Sequence, residues 1–215
     1  MDNNIVKKTI LSILGLSLIL MCAGSCASSS LQSTEKAFAP VYLTNTSKYA
    51  LLPPSASSEQ IDGLQHMSAS FNGKEVDADV YVLSDSQQLA MMILNDFGTT
   101  MASLTYDGSN LEFESNIFPK KMKSEYIVAD FQLCLYDWEI MKPALKKIGI
   151  DFNRSLTETE NGVTENRTLQ KKGKVISLIK KKYKKSKDSA ILQLESISYE
   201  NKLRSYSYTL TSLDN

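Results

Sequence analysis

The chain has 215 residues, with 24 basic and 24 acidic side chains and a formal net charge of zero. This length suits one domain, or one domain preceded by a targeting segment. Nucleic-acid binders are normally basic overall, so a neutral chain predicts no nucleic-acid partner. Three cysteines are too few for a disulfide scaffold or a zinc module, and a single histidine leaves little room for histidine-ligated metal or serine–histidine catalysis. We therefore expect no metal site and no bound cofactor.

Residues 1–25 have the pattern of a secretory signal. Two lysines precede an apolar run over residues 10–23. As a helix this run would cover roughly 21 Å, less than the ~30 Å hydrocarbon core of a bilayer. A basic flank, a short apolar core and then small residues are typical of a signal peptide that is removed after export.

Cys26 directly follows the small residues 23–25 and is the predicted site of lipid attachment. The pattern resembles a bacterial lipobox, in which small side chains let the backbone lie flat in the peptidase cleft and the cysteine thiol receives the lipid. Cys22 is the competing cysteine, but the bulky Met21 precedes it. Ordinary secretory cleavage at the same place, which would leave Cys26 as a free thiol, is the alternative.

The resemblance to bacterial lipoproteins implies a multiply acylated Cys26, and stable anchoring does need more than one acyl chain. No aspartate follows Cys26, which favours the periplasmic face of the outer membrane over retention at the inner membrane. Residues 26–48 are then predicted to be the lipidated cysteine and a flexible tether. Residues 49–215 are predicted to form a single β domain.

Most of the remaining chain predicts short antiparallel strands. Pro53 and Pro54 predict an extended strap over residues 49–57, because proline is disfavoured in helices and in central strands. Asn72-Gly73 is a strong hairpin signal, since both residues tolerate positive φ. Strands are predicted at residues 64–71, 74–83, 87–95, 99–106, 111–114, 163–170, 175–183, 190–197 and 203–210. The 87–95 segment is apolar on both faces, which favours a central or cavity-lining strand.

Two short helices are predicted in the middle of the chain. Apolar residues recur at helical spacing over residues 124–136, with Ser124 as the predicted cap. A second helix is predicted over residues 138–148, interrupted by Pro143 and ended by Gly149. Strands, a helical insert and further strands predict one α+β domain, with a curved antiparallel sheet and helices over one mouth.

The common enzyme motifs are missing from the chain. It has no Gly-x-Ser-x-Gly elbow, phosphate-binding loop, His-Glu-x-x-His or Cys-x-x-Cys motif, so we expect no enzymatic activity. Cys134 lies on the apolar face of the first predicted helix without a neighbouring cation, which indicates an inert core thiol. His66 is expected to be a hydrogen-bonded surface residue.

Residues 171–187 contain nine lysines and no acidic residue. They predict a hairpin with a basic surface that includes Lys180, Lys181, Lys182, Lys184 and Lys185. Two interpretations stay open. Lysines can protect an edge hairpin from aggregation, or they can contact anionic headgroups at about 1 kcal/mol per basic residue.

Phe97 lies in a predicted tight turn between Asp96 and Gly98. Its side chain either folds back onto the sheet or forms a tip that contacts a membrane or a ligand.

Three stretches, in this order behind a lipobox, together resemble one family. They are residues 49–57 (Y-A-L-L-P-P-S-A-S), 95–108 (N-D-F-G-T-T-M-A-S-L-T-Y-D-G) and 125–135 (E-Y-I-V-A-D-F-Q-L-C-L). The resemblance is to domain-of-unknown-function family 3261 (DUF3261), and it covers residues 40–211. It implies a proteobacterial lipoprotein, in a family of which some members are encoded beside aryl-polyene synthesis genes.

The turn at Asn95 is distantly similar to that of the outer-membrane lipoprotein receptor LolB, which reads Asn, Pro, an exposed apolar residue, Gly. Asn95, Phe97 and Gly98 match this turn, and Asp96 replaces the proline. The similarity implies a half-open, LolA/LolB-like antiparallel barrel with a short helical lid over an apolar cavity for acyl chains. It also implies that Phe97 hands cargo to the bilayer, and that an acyl lipid or lipoprotein and a periplasmic LolA-like carrier are the partners.

The main hypothesis is an outer-membrane lipoprotein that binds or transfers an apolar lipid or a lipoprotein acyl chain, linked to aryl-polyene-type lipid export. The predicted cavity residues are Met92, Leu94, Leu104, Phe113, Ile127, Phe131 and Trp138. An envelope scaffold with a filled core, acting through its basic hairpin without enzymatic activity, is the alternative. A hydrolase of lipid-linked products is the third candidate and lacks a nucleophile–base pair. A continuous apolar cavity distinguishes the carrier from the scaffold.

Overall fold

The computed structural model describes residues 38–71, 73–118, 122–186 and 191–213. In these residues, twelve β-strands and two α-helices follow one another along the chain. They are β1 (Val41–Thr44), β2 (Ser47–Tyr49), β3 (Ile61–Phe71), β4 (Lys74–Ser84), β5 (Leu89–Leu94), β6 (Thr100–Tyr106), β7 (Leu111–Ser115), α1 (Ser124–Leu135), α2 (Trp138–Lys147), β8 (Asp151–Thr159), β9 (Gly162–Lys171), β10 (Lys174–Lys185), β11 (Leu192–Asn201) and β12 (Tyr206–Ser212).

Ten of these strands form one antiparallel sheet, and β1 and β2 form a separate hairpin. The order in the sheet is β7-β6-β5-β4-β3-β12-β11-β10-β9-β8. Two meanders, β3 to β7 and β8 to β12, are joined where β3 pairs with β12. Within the described residues, β7 and β8 each have one neighbouring strand and do not pair with each other. The predicted α+β class, with an unclosed antiparallel sheet and two helices, is therefore confirmed.

The sheet curves around α1. This helix contacts β7 near one edge of the sheet. At its other end it accepts hydrogen bonds from Arg167 of β9. β7 and β9 are eight strand spacings apart in the sheet order, which is ~38 Å in a flat sheet. The 12 residues of α1 extend only ~18 Å. A single helix of this length reaches both strands only because the sheet wraps around it.

The core lies on the concave face of the sheet, between the strands and α1. Side chains of β4 alternate, with Ala78, Val80 and Val82 buried and the residues between them at the surface. Residues 128–135 of α1 are almost all buried, including Val128 and Leu133. Among the described residues, neither helix is long and apolar enough to cross a membrane.

The two helices lie where the sequence predicts them, but their details differ. Lys123, not Ser124, occupies the cap position of α1, and Ser124 is already the first helical residue. α2 continues through Pro143 without the predicted interruption. It begins at Asp137, whose carboxylate accepts a hydrogen bond from the Glu139 amide at 2.6 Å. It ends before Gly149, which has a φ of +75° as predicted for a helix terminator.

Three strands and one turn of the structure are absent from the sequence predictions. β1 and the first two residues of β2 lie within the predicted flexible tether, yet Val41, Leu43 and Ser47 are buried. β8 was not predicted, because nearly all of its side chains are exposed and give no apolar alternation. The predicted proline strap contains a single 3₁₀ turn over Pro54–Ala56. Gly73 has the positive φ expected in the β3–β4 hairpin, whereas Asn72 lies outside the described residues.

Candidate functional site

An apolar pocket of about 320 Å³ lies between α1 and the concave face of the sheet. Most of its lining comes from α1, β3, β5 and β12. The apolar and aromatic lining residues are Met67, Phe71, Met91, Ile93, Phe118, Met122, Tyr126, Ile127, Phe131, Tyr206, Tyr208 and Leu210. Three charged residues, Lys123, Asp130 and Arg204, complete the wall. This volume lies at the lower end of the ~300–1,000 Å³ range of ligand pockets.

Two sequence periods place these side chains on one surface. On α1, Ile127, Asp130 and Phe131 are three and four residues apart and therefore share a helix face. On β12, Tyr206, Tyr208 and Leu210 alternate toward the concave side. The pocket exists because α1 crosses the sheet above β3, β5 and β12 without filling the space beneath its first turns.

Aromatic rings form the wall below Phe131. The Tyr199 and Tyr208 rings stack with their centroids 5.2 Å apart. The Phe131 and Tyr208 rings lie 6.3 Å apart, and the Phe71 and Tyr206 rings 5.6 Å apart. Stacked rings give this wall a rigid, flat apolar surface.

Asp130 is the acidic group of the pocket. Tyr206 Oη donates a hydrogen bond to its Oδ2. Burial raises the pKa of the Asp130 carboxyl to about 6, although the Tyr206 hydrogen bond and the Arg204 charge act in the opposite direction. Asp130 is therefore mostly ionised at neutral pH and becomes protonated in mildly acidic solution.

Arg204 closes the wall opposite α1. Its guanidinium lies over the Tyr126 ring at 4.9 Å, and its Nη2 donates to the Tyr42 carbonyl oxygen. Its backbone amide donates to Asn201 Oδ1 at 2.9 Å. These three contacts hold the β11–β12 turn, β1 and α1 together at the pocket.

Two of the seven predicted cavity residues, Ile127 and Phe131, line this pocket. Leu104 is buried in the core outside it, and Phe113 and Trp138 pack against the core without reaching it. For β5 the predicted pocket-lining face is wrong, since Met91 and Ile93 line the pocket in place of Met92 and Leu94. Met92 is 39 % exposed on the opposite face. A strand that is apolar on both faces carries no local signal of which face turns inward.

Phe97 does not fold back onto the sheet, because its side chain is 92 % exposed. The turn that presents it is well defined. Asn95 Oδ1 accepts hydrogen bonds from the Phe97 and Thr99 amides at 3.0 and 2.9 Å, and Gly98 has a φ of +72°.

Only some of the lysines of the predicted basic surface are exposed. Lys180, Lys182 and Lys185 are exposed on β10, and Lys184 is half-buried. Lys181 is only 1 % exposed, so the prediction that it belongs to the basic surface is wrong. Its Nζ lies 2.8 Å from Glu59 Oε1 and 2.9 Å from Glu165 Oε2. Alternation along β10 turns it into the concave face, where two carboxylates balance its charge.

The Lys181 contacts belong to a buried charge cluster of Glu59, Arg154, Glu165, Arg167 and Lys181. Glu165 Oε1 accepts from Arg154 Nε at 2.7 Å and from Arg167 Nε at 2.8 Å. Burial alone would raise the pKa of Glu165, but the Arg167 and Lys181 charges outweigh it and hold the pKa at about 2. Arg167 Nη1 also donates to the carbonyls of Leu133, Cys134 and Tyr136 at 3.1, 3.2 and 2.9 Å. The cluster therefore caps the carboxyl end of α1.

The remaining predicted residues have ordinary surroundings. Burial raises the pKa of the Cys134 thiol to about 12, and its Sγ lies 3.7 Å from Tyr208 Oη. Such a thiol is not activated as a nucleophile. His66 Nδ1 lies 3.3 Å from Asp79 Oδ1 at the surface. Cys26 lies outside the described residues.

Asp130, Arg204 and Tyr206 line the pocket but are not among the site residues that the sequence predicts. One local signal existed for Asp130, a single acid on the apolar helix face that carries Ile127 and Phe131. Tyr206 had a partial signal, because the two-residue period places it on one face with Tyr208 and Leu210. Arg204 had none, since it reaches the pocket only through the pairing of β12 with β3.

The family model described as "Protein of unknown function (DUF3261)" matches residues 62–214. No curated protein matches the chain. One similar solved structure is an outer membrane lipoprotein-sorting protein domain from Vibrio parahaemolyticus. It has 10 % identity and a TM-score of 0.31, over 74 % of this chain and 86 % of that one. Another is a DUF1329 family protein from Desulfovibrio piger, with 8 % identity and a TM-score of 0.28, over 73 % of this chain and 85 % of that one. Likenesses at this level assign no function.

Proposed function

This chain belongs to the DUF3261 family, and we propose that its folded domain binds a single apolar chain in the pocket beneath α1. The observation that carries the proposal is the pocket itself, a space of about 320 Å³ walled by twelve apolar or aromatic side chains and three charged ones. A packed interior would have left no such space. Burial of an apolar chain there is favourable and non-directional, and its free energy grows with the area removed from water.

The proposed activity is binding or transfer, without covalent chemistry. The charged groups of the pocket are held by neighbouring groups: Arg204 donates to the Tyr42 carbonyl, and Asp130 accepts from Tyr206. The buried thiol of Cys134 has a raised pKa and is not activated. The ligand is an acyl lipid, a lipoprotein acyl chain or a polyene-like chain, each of which an apolar wall accepts.

The site of action that we propose is the periplasmic face of the outer membrane, with Cys26 as the lipid-bearing anchor. The support comes from the sequence, where a basic flank, a short apolar run and small residues precede Cys26. The membrane and a lipid or lipoprotein cargo are the proposed partners.

Phe97 is proposed as the membrane-contacting tip beside the pocket. Successive hairpin turns of an antiparallel sheet alternate between its two ends, so the β5–β6 turn lies at the same end as the β3–β4 turn. Phe71, a pocket residue, lies next to that β3–β4 turn and pairs with Tyr206, which follows the β11–β12 turn. The exposed ring and the pocket therefore share one end of the sheet, which suits delivery of an apolar chain into a bilayer.

A scaffold that acts through its basic hairpin is the second candidate. The observation in its favour is the exposure of Lys180, Lys182 and Lys185 along β10. These lysines would contact anionic headgroups or an acidic partner whether or not the pocket is occupied. Pocket occupancy therefore separates the two functions.

The carrier proposal predicts that Ile127→Glu abolishes pocket labelling by a photoreactive hexadecyl methyl ether. A carboxylate in the apolar wall costs several-fold or more in affinity for an apolar chain. The full chain is labelled in its own membranes, and the labelled peptides of α1 and β12 are quantified by mass spectrometry. Ile140→Glu is the matched control, since Ile140 is 46 % exposed on α2 and does not line the pocket.

Labelling of α1 and β12 in the wild type that falls in Ile127→Glu and persists in Ile140→Glu supports the carrier. The carrier proposal is contradicted if the wild-type pocket is not labelled. It is also contradicted if the Ile127→Glu variant is folded and is labelled as strongly as the wild type. Thermal melting of each variant shows whether it is folded.

A further inference from the structure

A carboxyl group faces the apolar pocket from within its wall. Asp130 lies seven residues after Lys123 on α1, which is two helical turns and ~10 Å deeper along the axis. The helix is increasingly buried in that direction, from the exposed Lys123 to the fully buried Val128 and Ala129. The carboxyl is therefore at the inner part of the pocket, and Lys123 is at its outer part.

Hydrogen bonds behind the pocket hold the partner of Asp130 in place. Asn201 Nδ2 donates to Tyr199 Oη at 3.2 Å and to Tyr206 Oη at 3.3 Å. Tyr199 Oη in turn lies 3.2 Å from Ser177 Oγ. Because Tyr206 Oη accepts from Asn201, its single proton is free to point at Asp130. Burial and the Asp130 charge raise the pKa of Tyr206, so that proton stays in place.

The carboxylate has acceptor capacity left over. Its two oxygens offer about four acceptor positions, and the hydroxyls of Tyr206 and Tyr199 use two of them. Arg204, the charged donor in the wall whose charge acts on Asp130, directs its Nη2 to the Tyr42 carbonyl. A partly buried carboxylate in a largely apolar wall is unfavourable unless it gains further hydrogen bonds. A ligand group that donates a hydrogen bond would supply one.

We propose that Asp130 accepts a hydrogen bond from the hydroxyl group of a neutral amphiphile whose apolar chain occupies the pocket. This inference rests on the proposed function and specifies its ligand class. The hydroxyl lies against Asp130 and Tyr206, and the chain lies along the apolar wall of β3, β5 and β12. The Asp130 charge disfavours a fatty-acid carboxylate at this position. A protonated fatty amine would be attracted by Asp130, but it would have to give up its hydration beside the Arg204 charge, which already acts on that carboxylate.

The test compares four photoreactive probes of equal chain length on the full chain in its own membranes: hexadecanol, hexadecyl methyl ether, hexadecanoic acid and hexadecylamine. The ether keeps the oxygen but has no donor, so the alcohol-to-ether ratio of pocket labelling isolates the hydrogen bond. A hydrogen bond to a charged acceptor predicts an alcohol preference on the order of tenfold, equivalent to about 1.4 kcal/mol. The acid and the amine are expected to label less than the alcohol.

Two substitutions of Asp130 test whether the preference for alcohol over ether depends on this residue. Asp130→Leu removes the acceptor, so alcohol and ether should label its pocket equally while ether labelling persists. Asp130→Asn keeps a neutral acceptor oxygen, so its alcohol preference should fall to a few-fold. If Asp130→Leu does not fold, the Asp130→Asn ratio decides, and an undiminished tenfold preference in that variant overturns the inference.

The failures of the inference and of the proposed function are distinct. Equal labelling of the wild-type pocket by alcohol and ether, or a preference for the acid or the amine, overturns the role of Asp130 and leaves the carrier intact. Absence of pocket labelling by all four probes overturns both.

Discussion

Glu165 is the residue on which the buried charges of this protein converge. Its carboxylate contacts Arg154, Arg167 and Lys181 within 2.9 Å. Side chains of Glu165, Arg167 and Lys181 are each no more than 2 % exposed. A buried ion cluster of this kind adds little stability over an apolar core, but the loss of one member leaves the others unpaired in a low dielectric.

Glu165→Gln is therefore expected to lower the free energy of unfolding by about 3 kcal/mol, because two cations lose their shared counter-charge. Urea unfolding at neutral pH, followed by circular dichroism, measures the change. Glu158→Gln, on the exposed part of β8, is the matched control and should stay within about 0.5 kcal/mol of the wild type. Equal effects of the two substitutions would show that the cluster is not important for stability.

Glu165 also predicts acid sensitivity. Its pKa is about 2 in the folded chain, against an ordinary value of 4.5. A carboxyl with a lowered pKa contributes stability that is present above the ordinary value and is lost as the pH falls through 4.5 toward 2. Melting temperature measured against pH should drop through this window in the wild type, with a smaller drop in Glu165→Gln.

Asp130 predicts the opposite dependence of stability on pH. Its pKa is raised from 3.8 to about 6 in the folded chain, so the folded state binds the proton more tightly and stability falls as the pH rises from about 4 to about 6. Asp130→Asn removes this titration while keeping an acceptor for Tyr206. The variant should gain up to about 3 kcal/mol relative to the wild type at pH values above this range, and much less below it. The prediction is contradicted if the difference in melting temperature between Asp130→Asn and the wild type is the same below about pH 4 as above about pH 6.

At the scale of elements, β5 shows what a strand pattern leaves open. Leu89, Met91 and Ile93 are buried, and Met92 lies on the outer face. The outer face also carries apolar side chains, so the sequence does not indicate which of the two faces of β5 turns toward the core. The pairing of Val80 with Ile93 and of Val82 with Met91 selects the inward set, because β4 has only one apolar face.

Pro143 shows that a helix can tolerate a residue with a known penalty. It lies in the interior of α2 on an exposed face, and the Asp137 cap and the basic last turn still support the helix. Pro143→Ala restores a backbone donor and removes the ring clash, worth about 3 kcal/mol in a helix interior, while the unfolded chain regains up to about 1 kcal/mol of entropy. We expect a net gain of about 1–2 kcal/mol in urea unfolding. A loss of stability would mean that the proline ring packs favourably in this helix.

At the scale of the whole molecule, the open sheet and the helix α1 define the pocket together. The β3–β12 pair joins the two meanders, and Met67 faces Leu210 across it with both side chains in the pocket wall. Arg167 attaches the carboxyl end of α1 to β9. With that end fixed, the first turns of α1 stand over unfilled space, and the pocket results.

Phe97→Ser is expected to leave stability within about 0.5 kcal/mol of the wild type, because the ring is 92 % exposed. It should reduce labelling of residues 95–99 several-fold when the membrane contains a phospholipid with a photoreactive acyl chain. The control is Ile191→Ser, since Ile191 is 66 % exposed at the opposite end of the sheet and should leave labelling of residues 95–99 unchanged. Identical labelling of Phe97→Ser and the wild type would rule out the membrane-contacting tip.

Local sequence patterns predict the α+β class, both helices and most strands of the sheet. These features follow from local causes, since the 3.6-residue and 2-residue apolar periods and turn glycines such as Gly98 and Gly149 act over a few neighbouring residues. The helical period also placed Ile127 and Phe131 on one apolar face of α1, and both residues line the pocket.

Three features depend on long-range packing: the face of β5 that lines the pocket, the burial of Lys181, and the contact between Asp130 and Tyr206. Asp130 and Tyr206 are 76 residues apart in the chain, and Lys181 reaches Glu59 over 122 residues. Contacts at such separations depend on which strands pair and how the sheet curves around α1. Those outcomes minimise the free energy of the whole chain, and no local pattern encodes them.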